Sequence, residues 1–266
     1  FMHLSAALLE KISKHIPGSS ITDMVDEIRN GMLEECDFKR EAENIALYRR
    51  FLNNNHITQV TVPTVYHNAS SQRVLSMQRF YGTALSNTDA VHQLSANPEQ
   101  ALIDALNTWF LSLTQCQIYH ADLHAGNVMM LNDGRIGFID FGIVGSISAD
   151  TWQSLLALIA SVPAKDFSAI ATAMAGMGAT NRVVNIPALA KDLEQLYLQF
   201  DSDDGNNEFL NTITLQISNI GRKYGIRFPR EFTLLLKQFL YFDRYIRLLS
   251  PDLDIFDDDR IFLHKA

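Results

Sequence analysis

The stretch YHADLHAGNVMMLNDGRIGFIDFG, Tyr119–Gly142, carries the strongest structural signal in the sequence. Two short apolar runs, Val128–Leu131 and Ile136–Ile139, flank an Asp-Gly pair, and this arrangement is typical of a β-hairpin. Polar residues that could do chemistry lie immediately before and after the two runs. The sequence therefore predicts a hairpin that brings Asn127 and Asp140 to the same end.

The residues before the hairpin fit two kinds of site. In a strand, His120, Asp122 and His124 would share one face and could supply three ligands to Zn²⁺, as in a metal hydrolase. However, this stretch follows a predicted helix end and is closed by Gly126 and Asn127. We therefore keep the metal hydrolase as the weaker alternative.

Phosphoryl transfer accounts for more of these residues. Asp122 and Asn127 have the D-x-x-x-x-N spacing of kinase catalytic loops, where the Asp lies beside the attacking hydroxyl or water. Asn127 and Asp140 offer hard oxygen ligands of the kind that Mg²⁺ prefers. We therefore predict that Asp122 is the catalytic residue and that Asn127 and Asp140 hold the metal. His120 and His124 become supporting residues.

The remainder of the sequence predicts helices on both sides of a small β region. Two runs, Val60–Tyr66 and Arg73–Phe80, are predicted strands, and Tyr81-Gly82 is predicted to end the second. Apolar periodicity and capping signals predict helices at Phe1–Ile16, about 20–53 with an interruption near 36–38, 98–117, 148–161, 165–177, 187–200, 207–223 and 230–249. Strands and helices segregated in this way indicate an α+β fold.

Bulk composition argues against several classes of protein. The 266 residues are 47% apolar and 20% charged, which is ordinary for a folded domain. The net charge is −8 and no dense Lys/Arg cluster is present, so we expect no nucleic-acid partner. Cys36 and Cys116 form no CxxC motif, which favours a reducing, cytoplasmic compartment. The sequence contains no run of eighteen apolar residues that would predict a membrane-spanning helix.

Three stretches and the tail of the chain carry motifs that resemble those of one family. LEECDFKREAEN, Leu33–Asn44, contains Glu-x-Asp followed by Phe-x-x-Glu-Ala, and RVLSMQRFYG, Arg73–Gly82, looks like a strand that leads into an interlobe hinge. YHADLHAGNVMMLNDGRIGFIDFGIVGSIS, Tyr119–Ser148, looks like a catalytic loop, a hairpin and a metal-binding Asp, and the tail contains LLSPDLDIF. Together these motifs resemble the UbiB family of AarF/ABC1-type atypical protein-kinase-like proteins, which support ubiquinone and other isoprenoid-lipid pathways.

The resemblance implies a protein-kinase-like α+β fold with an incomplete small lobe, residues 1–82, and a mostly helical large lobe, residues 83–266. It implies ATP and Mg²⁺ as cofactors, and an atypical kinase or ATPase activity that supports isoprenoid-quinone metabolism. The implied partners are a nucleotide and lipid or quinone-pathway proteins. The resemblance also implies membrane association, which would place the protein peripherally on the cytoplasmic side of the inner membrane.

By the same resemblance, further residues would form the nucleotide site. Glu41 would be the helix Glu that pairs with the nucleotide-binding Lys, and Glu35 and Asp37 would be the Glu-x-Asp pair. Without the resemblance, these three acidic residues would be interpreted as a solvated helix face. The residues that border the adenine would be Met77, Gln78 and Phe80.

The chain departs from the family pattern in its front part. Kinase-like sites need a strand Lys for the α- and β-phosphates and a loop that covers them. The lysines before Glu41 are Lys11, Lys14 and Lys39, all in helical contexts. No Gly-rich or Ala-rich loop and no Lys-x-Gly-Gln motif precedes the helices. We therefore expect a fragment that lacks the front of the small lobe, and a degenerate member of the family is the weaker alternative.

Two alternatives to a UbiB-like enzyme stay open. A small-molecule phosphotransferase of the aminoglycoside type shares the His-x-Asp-x-His-x-x-Asn loop, although the Glu-x-Asp stretch argues against it. A pseudokinase scaffold would bind partners without turnover, and the intact Asp122, Asn127 and Asp140 argue against a total loss of metal binding. A conventional protein kinase is disfavoured because no Ala-Pro-Glu and no long activation segment follow Asp140-Phe-Gly.

Overall fold

The computed structural model describes residues 37–162, 164–180, 183–200, 207–228, 230–255 and 258–262. The predictions for helix Phe1–Ile16, for the helical stretch before residue 37 and for Glu35 lie outside the described residues. Within the described ranges the chain forms eight α-helices and eight short strands. None of these helices combines the length and apolar character needed to cross a lipid bilayer.

The helices agree closely with the periodicity of apolar residues in the sequence. They are α1 (Phe38–Asn54), α2 (Thr88–Leu94), α3 (Pro98–Gln115), α4 (Ala149–Ser161), α5 (Phe167–Met177), α6 (Ile186–Phe200), α7 (Asn207–Tyr224) and α8 (Arg230–Leu249). Asp37 caps α1 by accepting a hydrogen bond from Lys39 N at 3.2 Å. Asn97 and Ser148 cap α3 and α4 in the same way. Helix α1 begins at Phe38, within the predicted interruption near residues 36–38, and the helical stretch predicted before it lies outside the described residues.

The strands form one four-stranded sheet and two small ladders. They are β1 (Val60–Thr61), β2 (Gly82–Ala84), β3 (Tyr119–His120), β4 (Val128–Leu131), β5 (Ile136–Phe138), β6 (Val144–Gly145), β7 (Ala179–Thr180) and β8 (Ile226–Arg227). The sheet has the order β1–β5–β4–β2, with β1 parallel to β5 and β2 antiparallel to β4. Strands β4 and β5 are the predicted hairpin, which is confirmed. Outside the sheet, β3 pairs with β6 and β7 with β8.

The two strands predicted before the hairpin are mostly wrong. Only Val60–Thr61 of the first is a strand, and Arg73–Phe80 holds only isolated bridges. Pro63 removes one backbone donor from the first run. In the second, Ser76 N donates to the Ser70 side-chain oxygen at 2.9 Å, so a side chain takes a bond that a strand partner would take. Local polar contacts therefore replace a regular ladder here.

Two further strand assignments depend on spatial neighbours. Gly82, predicted to end a strand, begins β2 instead. A Cβ at this position would lie 2.0 Å from Met130 O, so only glycine allows β2 to approach β4 this closely. The sequence predicted only helices after residue 148, and this prediction is wrong at β7 and β8, because two-residue ladders leave no period-2 pattern in a sequence.

The core beneath the hairpin is built around α3. Trp109 is fully buried, and its Nε1 donates a hydrogen bond to His120 O at 2.9 Å. The aromatic rings that pack against the indole come from α3, β3 and α8, and they are Phe110, Tyr119, Phe239 and Phe242. Helices α3 and α8 thus support the chain segment that links β3 to β4, where the predicted catalytic residue lies.

Candidate functional site

A cavity of about 590 Å³ lies where α1, the Asp122 loop (residues 121–127) and the segment after β5 meet. This volume falls within the range of small-ligand sites. The residues that line it are Phe38, Glu41, Leu75, Met77, Asp122, Asn127, Ile139, Asp140, Gly142 and Ile143. The structure therefore brings together five residues predicted from the sequence, namely Glu41, Met77, Asp122, Asn127 and Asp140.

The hairpin positions Asn127 beside the segment that holds Asp140. Val128 pairs with Phe138, and Ile139 N donates to Asn127 O at 3.0 Å. The Asn127 side chain donates from Nδ2 to Asp122 O at 2.9 Å, which leaves its side-chain oxygen as the atom that could face a cation. Asn127 therefore links the hairpin to the Asp122 loop.

Asp140 has an unusual backbone conformation. Its φ is 62°, in the left-handed region that costs most residues energy but that Asp tolerates because its side chain can bond locally. Its Oδ1 accepts a weak hydrogen bond from Gly142 N at 3.3 Å. Non-glycine residues held in this region are enriched at functional sites. The conformation turns the chain sharply at the edge of the cavity and leaves Asp140 exposed.

Glu41 and Asp140 bring two carboxylates to the same cavity. The pKa of Glu41, buried on α1, is raised to about 6, chiefly by burial and then by the charge of Asp140, while a hydrogen bond from the Phe141 backbone acts in the opposite direction. One turn along α1, Asn44 Nδ2 donates to Phe141 O at 2.9 Å. Helix α1 is thereby tied to the Asp-Phe-Gly segment, and a cation at the cavity would relieve the repulsion between the carboxylates.

Asp122 lies between two basic side chains. Its Oδ1 is 2.7 Å from Nζ of Lys237 on α8, and its Oδ2 is 3.6 Å from Nε2 of His124. Burial lowers the pKa of Lys237, but the hydrogen bond and the charge of Asp122, together with Tyr241, raise this pKa above its ordinary value overall. Lys237 is therefore a permanent cation beside the Asp122 carboxylate.

His120 is completely buried, and both of its ring nitrogens have backbone partners. Nε2 donates to Ile139 O at 2.9 Å, and Nδ1 accepts from Asp122 N at 3.1 Å. The ring therefore joins the Asp122 loop to the end of β5 as a neutral imidazole. The metal-hydrolase alternative loses a ligand, since neither nitrogen of His120 is left for zinc.

A family model described as the ABC1 atypical kinase-like domain matches residues 1–174 of the chain. The chain belongs to the ABC1 atypical kinase-like family. An uncharacterized chloroplastic aarF domain-containing protein kinase from Arabidopsis thaliana is 42% identical over 98% of this chain and 53% of the relative. A probable protein kinase UbiB from Pasteurella multocida is 24% identical over 91% of this chain and 46% of that protein.

The kinase-like fold is also seen in a solved structure. A Mycobacterium tuberculosis protein, determined in complex with erythromycin, matches 92% of this chain and 64% of its own with a TM-score of 0.55 and 22% identity. The α+β, kinase-like fold predicted from the sequence is confirmed. The chain spans about half the length of the curated relatives it matches.

Three residues assigned from the ABC1/UbiB motifs do not line the cavity. Asp37 is the N-cap of α1. Gln78 faces Thr64, whose N–H and hydroxyl both donate to its Oε1, and Phe80 packs against Gly137 on the sheet. Of the three residues predicted to border the adenine, Met77 alone lines the cavity.

The sequence analysis did not identify the residues of α8 that hold the Asp122 loop in place. Gln238 is fully buried, accepts from Leu123 N at 2.7 Å and donates to Ala121 O at 2.7 Å. Tyr245 donates from its hydroxyl to Leu123 O at 2.8 Å. The one available signal was the polar pair Lys237-Gln238 inside the apolar run FTLLLKQFLYF, because a buried glutamine needs partners.

Because His120 is buried and neutral, its contribution to the free energy of unfolding is expected to decrease at acid pH. Burial lowers its pKa from 6.5 to about 4, against the opposing effects of the hydrogen bond to Ile139 O and the charges of Asp122 and Asp140. Its contribution to stability is full above pH 6.5 and is lost as the pH falls towards 4, because only the unfolded state takes up the proton. The stability difference between wild type and His120→Gln should therefore shrink by about 2 kcal/mol between pH 7 and pH 5.

Urea unfolding at each pH measures this difference. His92→Gln, at an exposed position of α2, is the matched control that removes a histidine outside the core. A difference between wild type and His120→Gln that stays constant across this pH range would contradict the neutral, buried imidazole.

Proposed function

We propose that this chain is the Mg²⁺–nucleotide-binding part of an ABC1/UbiB-type atypical kinase or ATPase. The observation that supports this most is that Asp122, Asn127 and Asp140 line one cavity, with the last two at the same end of the hairpin. Phosphoryl transfer depends on positioning and electrostatic stabilisation more than on covalent chemistry by the protein. An arrangement of acceptor-orienting and metal-binding groups around one cavity suits that reaction.

The donor chemistry of the cavity fits Mg²⁺. The Asn127 amide oxygen and the Asp140 carboxylate are hard ligands, and Mg²⁺ is usually bound by one or two carboxylates together with substrate phosphates. Burial first, and the charge of Asp140 second, raise the pKa of Glu41, so a cation in this cavity would lie near two carboxylates. When bound, Mg²⁺ would neutralise charge on the nucleotide phosphates.

The remaining lining residues support roles in holding the nucleotide and the acceptor. Asp122 would orient the acceptor hydroxyl or water, because its carboxylate is held in place by contacts to α8. Glu41 would pair with a nucleotide-binding Lys, as the family resemblance implies. Phe38, Leu75 and Met77 supply an apolar wall that suits the adenine ring.

The biological setting is proposed from the family. One relative is named UbiB, which supports a role in isoprenoid-quinone or related lipid metabolism with lipids or quinone-pathway proteins as partners. Peripheral attachment to a membrane from the cytoplasmic side follows from the same proposal. The activity would belong to the whole protein, since the chain matches about half of each relative.

Nucleotide titration of the full-length protein tests the proposal. A fluorescent ATP analogue should bind in the presence of Mg²⁺, and chelation of Mg²⁺ should release it. Absence of binding, or binding that ignores Mg²⁺, would contradict the proposed function. Given binding, rapid phosphorylation of a soluble alcohol would favour the aminoglycoside-type alternative, and binding without any turnover would favour a scaffold.

A further inference from the structure

The described part of the cavity wall is strongly acidic for a site that would hold phosphates. Glu41, Asp122 and Asp140 contribute carboxylates, and its described lining includes no Lys or Arg. Phosphoryl transfer places negative charge on the transferred group, and enzymes stabilise that charge with fixed positive groups. Mg²⁺ would offset part of the carboxylate charge. A permanent protein cation next to Asp122 would offset more, and Lys237 is in that position at 2.7 Å.

Lys237 is held in place by the rest of α8. Its neighbour Gln238 bonds the backbone on both sides of Asp122, at Ala121 O and Leu123 N. Tyr245, two turns later, bonds Leu123 O. The helix and the Asp122 loop therefore behave as one unit, and the Lys237 ammonium has a defined position relative to the carboxylate.

The contact differs from an ordinary surface ion pair. The Asp122 side chain is 15% exposed and that of Lys237 is 42% exposed, so the pair is partly shielded from water. The ammonium also lies 5.5 Å from the centre of the Tyr241 ring, at a distance typical of a cation–π contact. Exposed pairs contribute little because solvent and salt screen them, whereas shielding strengthens this pair.

We propose that Lys237 is a positioning residue for phosphoryl transfer that acts through Asp122, an inference that rests on the proposed function. Its ammonium donates to Oδ1, and Oδ2, which lies 3.6 Å from Nε2 of His124, would receive the acceptor hydroxyl. The acceptor oxygen bonds to the γ-phosphorus, and the bond from that phosphorus to the β,γ-bridging oxygen breaks with its electron pair leaving on ADP. The acceptor proton passes to Oδ2 of Asp122 and then to solvent, while the nearby ammonium favours the negative charge of the transition state.

A transition-state analogue separates this role from a structural one. Full-length wild type and Lys237→Met are titrated with MgADP alone and with MgADP plus aluminium fluoride, which mimics the transferred phosphoryl group. Lys237→Met should bind MgADP within about threefold of wild type but the aluminium fluoride complex about 100-fold more weakly. The turnover number should fall by a similar factor with little change in KM for ATP, and Lys237→Arg should recover most of both losses.

The matched control is Arg247→Met, which removes a cation from the same helix. Arg247 pairs with Asp243 on the exposed surface of α8, away from the cavity. It should behave as wild type in both titrations. Urea unfolding of each variant separates lost folding from lost function, and Lys237→Gln, which also removes the cation, carries the comparison if Lys237→Met does not fold.

The outcomes separate the two proposals. If wild type binds no Mg²⁺–nucleotide, the proposed function fails and the role of Lys237 fails with it. If wild type binds and Lys237→Met keeps its affinity for the aluminium fluoride complex, only the role of Lys237 is overturned. An equal loss of MgADP and analogue affinity would also overturn it, because that pattern indicates general damage to the site.

Discussion

Replacing Asp140 with asparagine is expected to weaken Mg²⁺-dependent nucleotide binding by about 100-fold or more, because a neutral amide oxygen is a far poorer Mg²⁺ ligand than a carboxylate. The substitution suits the backbone, since asparagine tolerates the left-handed conformation at a φ of 62°. Its side-chain oxygen can still accept the hydrogen bond from Gly142 N. Calorimetric titration of the full-length protein with ATP at a fixed, high Mg²⁺ concentration measures the effect.

Asp133→Asn is the matched control for the charge. Asp133 is exposed at the turn of the same hairpin, where it pairs with Arg135, at the end opposite Asp140. It should leave nucleotide affinity unchanged. If Asp140→Asn binds nucleotide as tightly as wild type, Asp140 is not a metal ligand and the proposed site loses its central feature.

Replacing Gln238 with leucine is expected to lower the free energy of unfolding by about 2–5 kcal/mol, since it leaves two buried backbone groups without a hydrogen-bond partner. Leu123 N loses its acceptor and Ala121 O loses its donor, both at 2.7 Å in the wild type. Leucine nearly matches glutamine in size, so lost hydrogen bonds and not a cavity would cause the change. Urea unfolding monitored by tryptophan fluorescence measures the effect.

Tyr245→Phe separates the backbone bonds from the packing of α8. It removes the single hydrogen bond to Leu123 O and keeps the ring, so a loss of about 1 kcal/mol is expected. Because Gln238 borders Lys237, Gln238→Leu should also reduce any turnover of the full-length protein. Equal stabilities for wild type and Gln238→Leu would show that α8 does not hold the Asp122 loop.

Apolar residues at helical spacing predicted the helices well, because this pattern extends over many residues. The apolar residues of α3 and α8 recur at helical spacing over many residues, which is the pattern that predicted both helices. The Asp-Gly turn was equally clear, because its residue types meet a local backbone requirement at Gly134, with a φ of 82°. The strand predicted at Arg73–Phe80 was wrong because its pairing with the 64–66 segment stops after one bridge, Val65 to Met77, and local side-chain bonds replace the rest.

In the candidate site, too, the sequence was enough for the contacts between residues close together in the chain, but not for contacts between distant segments. The sequence alone was enough to predict that Asn127 and Asp140 lie together, because a short hairpin joins them. It was enough to identify the family, because the motifs around Glu41 and Asp122 are local in the chain. The hairpin and the family motifs are each defined by residue types and their spacing within one segment, so they can be recognised without knowing any long-range contact.

Only the tertiary structure showed how Asp122 is held. Lys237, Gln238 and Tyr245 reach the Asp122 loop across more than 110 residues of chain. No local pattern links α8 to that loop, since the contacts depend on how α8 packs against α3 and on the burial of Trp109 between them. The sequence by itself was enough to predict a metal and nucleotide site, and packing decided which cation and which hydrogen bonds surround the Asp122 carboxylate.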